Sequence, residues 1–184
     1  MLQPRIVILS GAPGVGKTTI ARLLSEQSAC TQAVHIEADE FWQFIRKGYI
    51  KPWLDDAVDQ NTTTLHAVAA SAEIYAQGGY DVFVSGVIGP WHIEPWLAIS
   101  QKGVDVRYVI LRPSESTTAQ RAMERIQRDF FPLTEQSVRD VRNSFMNLNI
   151  YEPNVIDTTH QTIEESVACI AKGLEQDCYR LADV

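Results

Sequence analysis

Residues 5–19, RIVILSGAPGVGKTT, decide the fold class of this chain. Their apolar, β-branched beginning at 5–9 predicts a buried strand, and residues 17–28 predict a helix. Between the two, residues 11–18 match the pattern G-x-x-x-x-G-K-[ST] at every fixed position. A strand, a glycine-rich loop and a helix in this order predict a site for the phosphates of a nucleoside triphosphate.

Each part of this loop has a physical role in phosphate binding. Glycines let backbone N–H groups turn inward without a side-chain clash, and the positive end of the following helix points at the phosphates. Lys17 is expected to reach the β- and γ-phosphates, while the hydroxyl of Thr18 binds Mg²⁺. The predicted nucleotide-binding residues of the loop are Gly11, Ala12, Pro13, Gly14, Val15, Gly16, Lys17, Thr18 and Thr19.

Strand and helix patterns alternate along the rest of the chain. Further strands are predicted at 33–38, 81–85, 104–111 and 154–157. Further helices are predicted at 39–47, 55–77, 94–102, 113–128, 135–148 and 161–180. This alternation is typical of the α/β class, in which helices cover both faces of a parallel sheet and ligands bind at the carboxyl ends of the strands.

The composition restricts the partners that we expect. The chain has 184 residues, enough for one domain over 1–184, and its net charge of −7 argues against binding nucleic acid through its phosphates. Three widely spaced cysteines predict neither a disulfide framework nor a zinc site. No apolar run is long enough to cross a bilayer, and the N-terminus does not read as a signal peptide. We therefore expect a cytoplasmic protein with no nucleic-acid or membrane partner.

The end of the third predicted strand helps to decide between phosphoryl transfer and nucleotide hydrolysis. We find no D-x-x-G element and no N/T-K-x-D motif, which a GTPase switch would need. A motor or AAA-type ATPase usually has an apolar strand that ends in Asp-Glu, which holds Mg²⁺ and polarises water. The third strand here ends in Ser85-Gly86 instead. This strand end favours phosphoryl transfer over hydrolysis.

The second predicted strand ends in two carboxylates, in Glu37-Ala38-Asp39. Because residues i and i+2 of a strand share a face, both should lie at its carboxyl end, close to the phosphate loop if the strands are neighbours. We predict that Glu37 holds Mg²⁺ through water and that Asp39 accepts the proton of an attacking hydroxyl. In the alternative, Asp39 only caps the helix 39–47 and Glu37 is solvated.

Three arginines lie on roughly one face of the predicted helix 113–128. Arg121, Arg125 and Arg128 are separated by four and three residues. We predict that they close over the phosphates, where Arg125 and Arg128 stabilise the charge that develops during transfer. In the alternative, they form salt bridges on a solvated face with the nearby acids Glu115, Glu124 and Asp129.

The phosphate loop, the pair Glu37-x-Asp39 and the arginine helix together resemble those of the small P-loop kinases. This group, in the adenylate-kinase-like branch, includes shikimate kinase, gluconate kinase and chloramphenicol phosphotransferase. The resemblance implies ATP and Mg²⁺ as cofactors, a three-layer fold whose five-stranded parallel sheet has the order 2-3-1-4-5, and a mobile lid, here at about 121–134. Glu37 and Asp39 look like the Asp-x-Asp pair of shikimate kinase, in which the first acid helps to hold Mg²⁺ and the second contacts the substrate hydroxyl.

The same resemblance implies contacts with adenine but no particular acceptor. These kinases stack one arginine on adenine and reach the phosphates with another, seven residues later, and Arg121 and Arg128 show that separation. Their adenine loop follows the last strand, where this chain has Asp157 and Thr158 in a similar stretch. Residues 147–153 lack the arginine with which shikimate kinases bind the substrate carboxylate. The stretch after Asp39 also lacks the histidine of gluconate kinases, so neither specificity carries over.

The acceptor is expected beside Asp39, under residues 40–60 and the loop after the third strand. These stretches contain all four tryptophans, and aromatic walls with a few polar groups suit a small organic ligand. The predicted acceptor-binding residues are Asp39, Trp42, Arg46, Trp53, Gly86 and Trp91, with His92, Gln60 and Asn61 as further polar candidates. In the alternative, the tryptophans belong to the core and His92 is a surface histidine.

These features predict an ATP-dependent phosphotransferase, monomeric or homodimeric, that moves the γ-phosphoryl group to a hydroxyl of a small organic acceptor. An antibiotic- or cell-wall-sugar-modifying kinase would share this mechanism and differ in its acceptor. A non-kinase ATPase or nucleotide-dependent regulator would instead hydrolyse ATP without an acceptor, or bind a partner protein in a nucleotide-dependent way. A nucleotide or nucleoside kinase would need a base-reading pocket, for which the sequence gives no signal.

Overall fold

A parallel sheet forms the centre of the computed structural model, which describes residues 3–114 and 135–181. Within these residues it has five strands in the order β2-β3-β1-β4-β5, each parallel to its neighbours. The strands are β1 Arg5–Gly11, β2 Ala33–Glu37, β3 Asp81–Ser85, β4 Asp105–Leu111 and β5 Val155–Ile156. The α/β class and the strand order 2-3-1-4-5 are therefore confirmed.

Helices connect the strands and lie around the sheet. The α-helices of the described residues are α1 Lys17–Glu26, α2 Ala38–Gln43, α3 Val58–Gln77, α4 Glu94–Gln101, α5 Glu135–Ser144 and α6 Ile163–Glu175. Short 3₁₀ turns cover Asp55–Ala57, Pro90–His92 and Asn149–Asn154. None of the helices in the described residues is long and apolar enough to cross a membrane. The predicted helix 113–128 and the predicted lid at about 121–134 lie almost wholly outside the described residues, and Arg121, Arg125 and Arg128 with them.

Several helix ends differ from the predicted ones, and local backbone chemistry explains the last helix. The predicted helix 161–180 begins only at Ile163, because Thr162 and Glu165 form a capping box there. It ends at Glu175, two residues before Asp177, whose positive φ of 62° is incompatible with a continuing helix. The predicted helix 135–148 likewise ends at Ser144, and a 3₁₀ turn with Pro153 inside it leads into β5.

The central strand β1 is buried on both faces. Ile6 and Ile8 belong to the core cluster under α3 and α4, while Val7 and Leu9 belong to the cluster under α1 and α6. This burial on both sides explains why the strand reads as a continuous apolar run instead of an alternating one. The phosphate loop thus begins at the carboxyl end of a strand that is buried on both faces.

The C-terminal segment pairs with the first half of β4. The backbone N–H of Tyr108 donates to the carbonyl of Tyr179 at 2.8 Å, and that of Leu181 donates to Val106 at 3.0 Å. The Arg107 side chain, 4% exposed, donates to Asp105 at 2.6 Å and to the carbonyl of Cys178 at 2.9 Å. Arg107 also binds Asp177 at 2.5 Å. This guanidinium therefore holds the C-terminal segment against the sheet.

We expect Arg107→Ala to lower the free energy of unfolding by about 2 to 4 kcal/mol. Hydrogen bonds to charged groups contribute roughly 1.5–3 kcal/mol each, and partial exposure of the partner carboxylates reduces the sum. Urea denaturation measures this change. The matched control is Arg22→Ala, because Arg22 is half exposed and pairs with Glu26 one turn away. We expect about 0.5 kcal/mol or less for that variant. Equal effects of the two substitutions would contradict the structural role of Arg107.

Candidate active site

The phosphate loop connects the end of β1 to the beginning of α1. Gly11, Gly14 and Gly16 have φ values of 135°, 83° and 99°, which residues with a side chain rarely adopt. A Cβ atom on Gly11 would also lie 2.3 Å from the carbonyl oxygen of Leu111. The loop conformation thus depends on these glycines, and it leads directly into the positive N-terminal end of α1.

Lys17, the first residue of α1, folds back over the loop. Its Nζ atom donates to the carbonyl oxygen of Ala12 at 2.9 Å, and the residue is 7% exposed. A lysine amine inside a glycine-rich turn, at the N-terminus of a helix, is a suitable arrangement for binding phosphate. The residues present therefore fit a nucleoside triphosphate.

A hydrogen bond connects Thr18 of the phosphate loop to Glu37 at the end of β2. The Thr18 hydroxyl donates to Glu37 Oε1 at 2.9 Å, although β3 lies between the strands that carry the loop and Glu37. Within the described residues, no group of three or more His, Cys, Asp or Glu side chains could hold a metal ion. A hydroxyl and a carboxylate are hard oxygen ligands, and Mg²⁺ in such sites takes its other ligands from phosphates and water. These two residues therefore fit Mg²⁺.

Asp39 lies in the first turn of α2, not on the strand that was predicted to carry it. Strand β2 ends at Glu37 and α2 begins at Ala38, so the expected strand alternation does not apply to Asp39. Glu37 occupies the N-cap position of α2, so the alternative in which Asp39 caps this helix is wrong as stated. Both carboxylates nevertheless line the same cavity. Gly86 permits this approach of α2, because a Cβ atom there would lie 2.8 Å from that of Ala38.

Ser85 ends β3 where an AAA-type ATPase usually has an acid. Its hydroxyl lies 2.9 Å from Nε2 of His35 on the neighbouring strand, and Ser85 is the register partner of Glu37. Burial lowers the pKa of His35, against the opposing influence of the Glu37 carboxylate, so the imidazole is neutral at pH 7. The loop after Ser85 is anchored to β1, because the Ser10 hydroxyl donates to the carbonyl of Ile88 at 2.7 Å.

A cavity of about 500 Å³ joins the phosphate loop to the region predicted for the acceptor. The predicted residues that line it are Pro13, Gly14, Lys17, Thr18, Glu37, Asp39, Trp42, Trp53, Gly86 and Trp91, together with the candidates Asn61 and His92. Residues that the sequence reasoning did not propose as acceptor or nucleotide contacts also line it, namely Glu40, Gln43, Pro52, Leu65, Ser85, Val87 and Val141. The helical spacing of apolar residues in α3 could have pointed to Leu65. Val141 lies on α5, which is distant in sequence from the other lining residues, and no sequence signal pointed to it.

The tryptophans of the cavity are held in place by polar and aromatic contacts. Trp42 is buried and donates from Nε1 to Oδ1 of Asn61 at 2.9 Å, and the amide of Asn61 donates to the carbonyl of Pro52 at 2.7 Å. Trp91 packs edge-on against Phe145, with ring centroids 5.3 Å apart. Trp53 and Trp91 are 39% and 51% exposed. The region predicted for the acceptor thus has an aromatic wall, in which Trp42 is hydrogen-bonded and Trp91 packs on Phe145.

Two residues proposed for the acceptor region, Arg46 and Gln60, do not line the cavity, and neither does Trp96, the fourth tryptophan of the two stretches. Helix α2 ends at Gln43 rather than at 47, so Arg46 falls in the following turn, exposed to solvent. The Gln60 amide is used locally, since it donates to the carbonyl of Ile50 at 2.6 Å and accepts from its N–H at 2.8 Å. Trp96 is fully buried in the core under α4.

The predicted adenine loop lies at the carboxyl end of β5, outside the described cavity. Asp157 is exposed and accepts hydrogen bonds from the backbone N–H and the hydroxyl of Thr159, which lower the pKa of Asp157. Thr158 is buried, and its hydroxyl has no hydrogen-bond partner among the described residues. Adenine contacts by Asp157 and Thr158 stay a prediction, as do those of Arg121.

Comparison with known proteins agrees with this fold. The family model AAA_33, described as an AAA domain, matches residues 6–148. No curated protein sequence matches the chain significantly. Among solved structures, the chain is similar to the tunicamycin resistance protein of Deinococcus radiodurans, with 21% identity, 98% of this chain and 99% of that chain covered, and a TM-score of 0.65.

Two further solved structures have kinase names. A sugar kinase from Janibacter sp. has 19% identity, coverage of 94% of this chain and 95% of that chain, and a TM-score of 0.66. The shikimate kinase of Acinetobacter baumannii has 19% identity, coverage of 95% of each chain, and a TM-score of 0.63. At these identities the likeness shows the fold alone, which is that of the small P-loop kinases.

Proposed function

We propose a function from the premise that this chain belongs to the AAA_33 family of AAA domains. The proposed function is that of an ATP-dependent phosphotransferase acting on a hydroxyl of a small organic acceptor. One observation carries the proposal. A continuous cavity brings Lys17 and Thr18 of the phosphate loop together with the Asp39 carboxylate and an aromatic wall. Such a cavity has room for an organic molecule beside the phosphates, which a site built only for hydrolysis does not need.

The residues of the chain have separate roles in this reaction. ATP supplies the γ-phosphoryl group, and Mg²⁺ neutralises part of its charge. Lys17 binds the phosphates, while Thr18 and Glu37 hold the metal ion. Asp39 accepts the proton of the acceptor hydroxyl, whose oxygen forms the new bond to phosphorus as the bond to ADP breaks. Positioning and charge stabilisation account for most of the rate.

The arginines of residues 121–128 complete the proposal. We propose that Arg125 and Arg128 close over the transferring group. The resemblance to small P-loop kinases implies that Arg121 stacks on adenine, and we include this contact in the proposal. We propose that Asp157 and Thr158, after the last strand, also contact adenine.

A kinase that modifies an antibiotic is the second candidate function. The observation that favours it is the similarity over 98% of this chain to a protein whose name is tunicamycin resistance protein. This candidate shares every residue role with the first and differs only in the acceptor.

A screen for acceptor-dependent ATP consumption tests the proposed function. Purified protein is incubated with Mg·ATP and a panel of hydroxyl-bearing metabolites and antibiotics, tunicamycin among them, with acceptor-free hydrolysis as the baseline. We expect at least one compound to raise ADP formation and to gain one phosphoryl group by mass spectrometry. ADP formation that no acceptor stimulates, together with a partner protein bound only in the ATP or the ADP state, would instead identify a regulator.

A further inference from the structure

The half of the cavity that lies away from the phosphate loop has an aromatic wall, which Trp42, Trp53 and Trp91 form. Trp42 is held by Asn61, and Trp91 packs against the backbone of Gly89, where a Cβ atom would lie 2.3 Å from the Trp91 ring. Trp53 and Trp91 keep 39% and 51% of their surface exposed, so their rings are accessible to a ligand. A wall of this kind suits a ligand with an apolar ring.

Negative charge dominates the lining of the same cavity. The carboxylates of Glu37, Asp39 and Glu40 line it, and Lys17 is the one lysine or arginine among its lining residues in the described part of the chain. In the proposed function Lys17 faces the phosphates of the nucleotide and Glu37 holds Mg²⁺, so that Asp39 and Glu40 are the charges that an acceptor meets among the described lining residues. Burial lowers the pKa of His92, so this lining imidazole adds no positive charge at pH 7.

Three cationic side chains near the cavity do not line it. Arg46 is exposed and does not line the cavity. Lys51 lies outside the lining, with its Nζ atom 5.9 Å from the ring centroid of Trp53. Arg112 forms a two-fold hydrogen bond with Glu152, at 2.9 and 2.8 Å, and lowers the pKa of that carboxyl to about 2. Among the described residues, none of these three offers a guanidinium or amine inside the cavity.

We propose, on the basis of the proposed function, that the phosphoryl acceptor is an alcohol with an apolar ring and no negative charge. A carboxylate or phosphate on the acceptor would meet the half-buried Asp39 and the exposed Glu40, and like charges repel. A neutral alcohol avoids this repulsion. An alcohol with a protonated amine gains from the carboxylates and from the half-exposed ring of Trp91.

Three alcohols that share a phenyl ring and differ in charge test this inference. They are phenylalaninol, which is cationic at pH 7, 3-phenyl-1-propanol, which is neutral, and 3-phenyllactate, which is anionic. With the full chain and Mg·ATP, we expect kcat/KM for the first two to exceed that for 3-phenyllactate by roughly tenfold or more. Equal or preferred phosphorylation of 3-phenyllactate would overturn the inference while leaving the proposed function intact.

Binding measurements keep the two proposals separable. If none of the three compounds is phosphorylated, the binding of the same compounds tests the inference, and the acceptor screen described above tests the proposed function. Because Trp42, Trp53 and Trp91 line the cavity, titration of tryptophan fluorescence reports their binding. Weaker binding of 3-phenyllactate than of the other two supports the inference, and equal or tighter binding overturns it.

A pair of charge reversals tests the electrostatic cause. Glu40→Lys places a cation in the cavity lining and is expected to reduce the discrimination against 3-phenyllactate by roughly threefold to tenfold. Glu175→Lys makes the same change at an exposed end of α6 that does not line the cavity, and it should keep the discrimination of the parent protein. Equal discrimination in both variants would overturn the role of the cavity charge.

Discussion

Replacement of Lys17 with alanine is expected to reduce ATP-dependent phosphoryl transfer by roughly 10²-fold to 10³-fold or more, the usual cost of removing one group that stabilises charge in a transition state. The Lys17 amine lies 2.9 Å from the carbonyl of Ala12, inside the phosphate loop and at the start of α1. It is therefore in place to neutralise the β- and γ-phosphates as charge moves towards ADP. The fold is expected to survive, since alanine favours the helical conformation of this position.

Three measurements on the Lys17→Ala variant separate chemistry from folding. They are ADP formation, calorimetric binding of an ATP analogue that is not hydrolysed, and the thermal midpoint of unfolding. The control is Lys172→Ala, which removes an exposed lysine near the end of α6 and should retain parental activity. Transfer within a few-fold of the parent in Lys17→Ala would refute the assignment of the phosphate loop.

The phosphate loop and the sheet could be predicted because their signals are local. The conformation of Gly11 and Gly16 requires positive φ, and the sequence places glycine at both positions. The strands around β1 are buried on both faces and read as apolar runs, which fixes the α/β class. The resemblance to small P-loop kinases then supplied the strand order, which no local pattern encodes.

The acceptor side of the cavity could be predicted only in part, because it depends on tertiary contacts. Trp91 and Trp96 are five residues apart in similar sequence surroundings, yet Trp91 is half exposed in the cavity and Trp96 is fully buried. The difference arises because Trp96 lies on the face of α4 that packs on the sheet. Val141 reaches the cavity from α5, and no sequence pattern relates it to Trp42. Arg46 was predicted to lie there as a polar residue of the stretch 40–60, but α2 ends at Gln43 and Arg46 is exposed to solvent.

Substitution of Asp39 by asparagine is expected to lower kcat by roughly 10²-fold to 10⁴-fold, the usual contribution of a general base, and to leave ATP affinity nearly unchanged. Asparagine has the same shape as aspartate but cannot accept the proton of the acceptor hydroxyl. Asp39 lies in the first turn of α2 and lines the cavity with Glu37, Lys17 and Thr18, the space in which we propose that acceptor and phosphate meet. Steady-state kinetics with calorimetric ATP binding measures both quantities.

The competing role of Asp39 is structural and makes a different prediction. A carboxylate in the first turn of a helix stabilises the positive N-terminal end, typically by about 0.3–1 kcal/mol. If this were its role, Asp39→Asn would lower the thermal midpoint slightly and leave kcat unchanged. Glu40→Gln is the matched variant, because Glu40 lies in the same turn and loses the same charge. A loss of kcat confined to Asp39→Asn assigns proton transfer to this residue. Equal losses in both variants would refute a specific base at Asp39, because the total negative charge of Asp39 and Glu40 would then explain the effect.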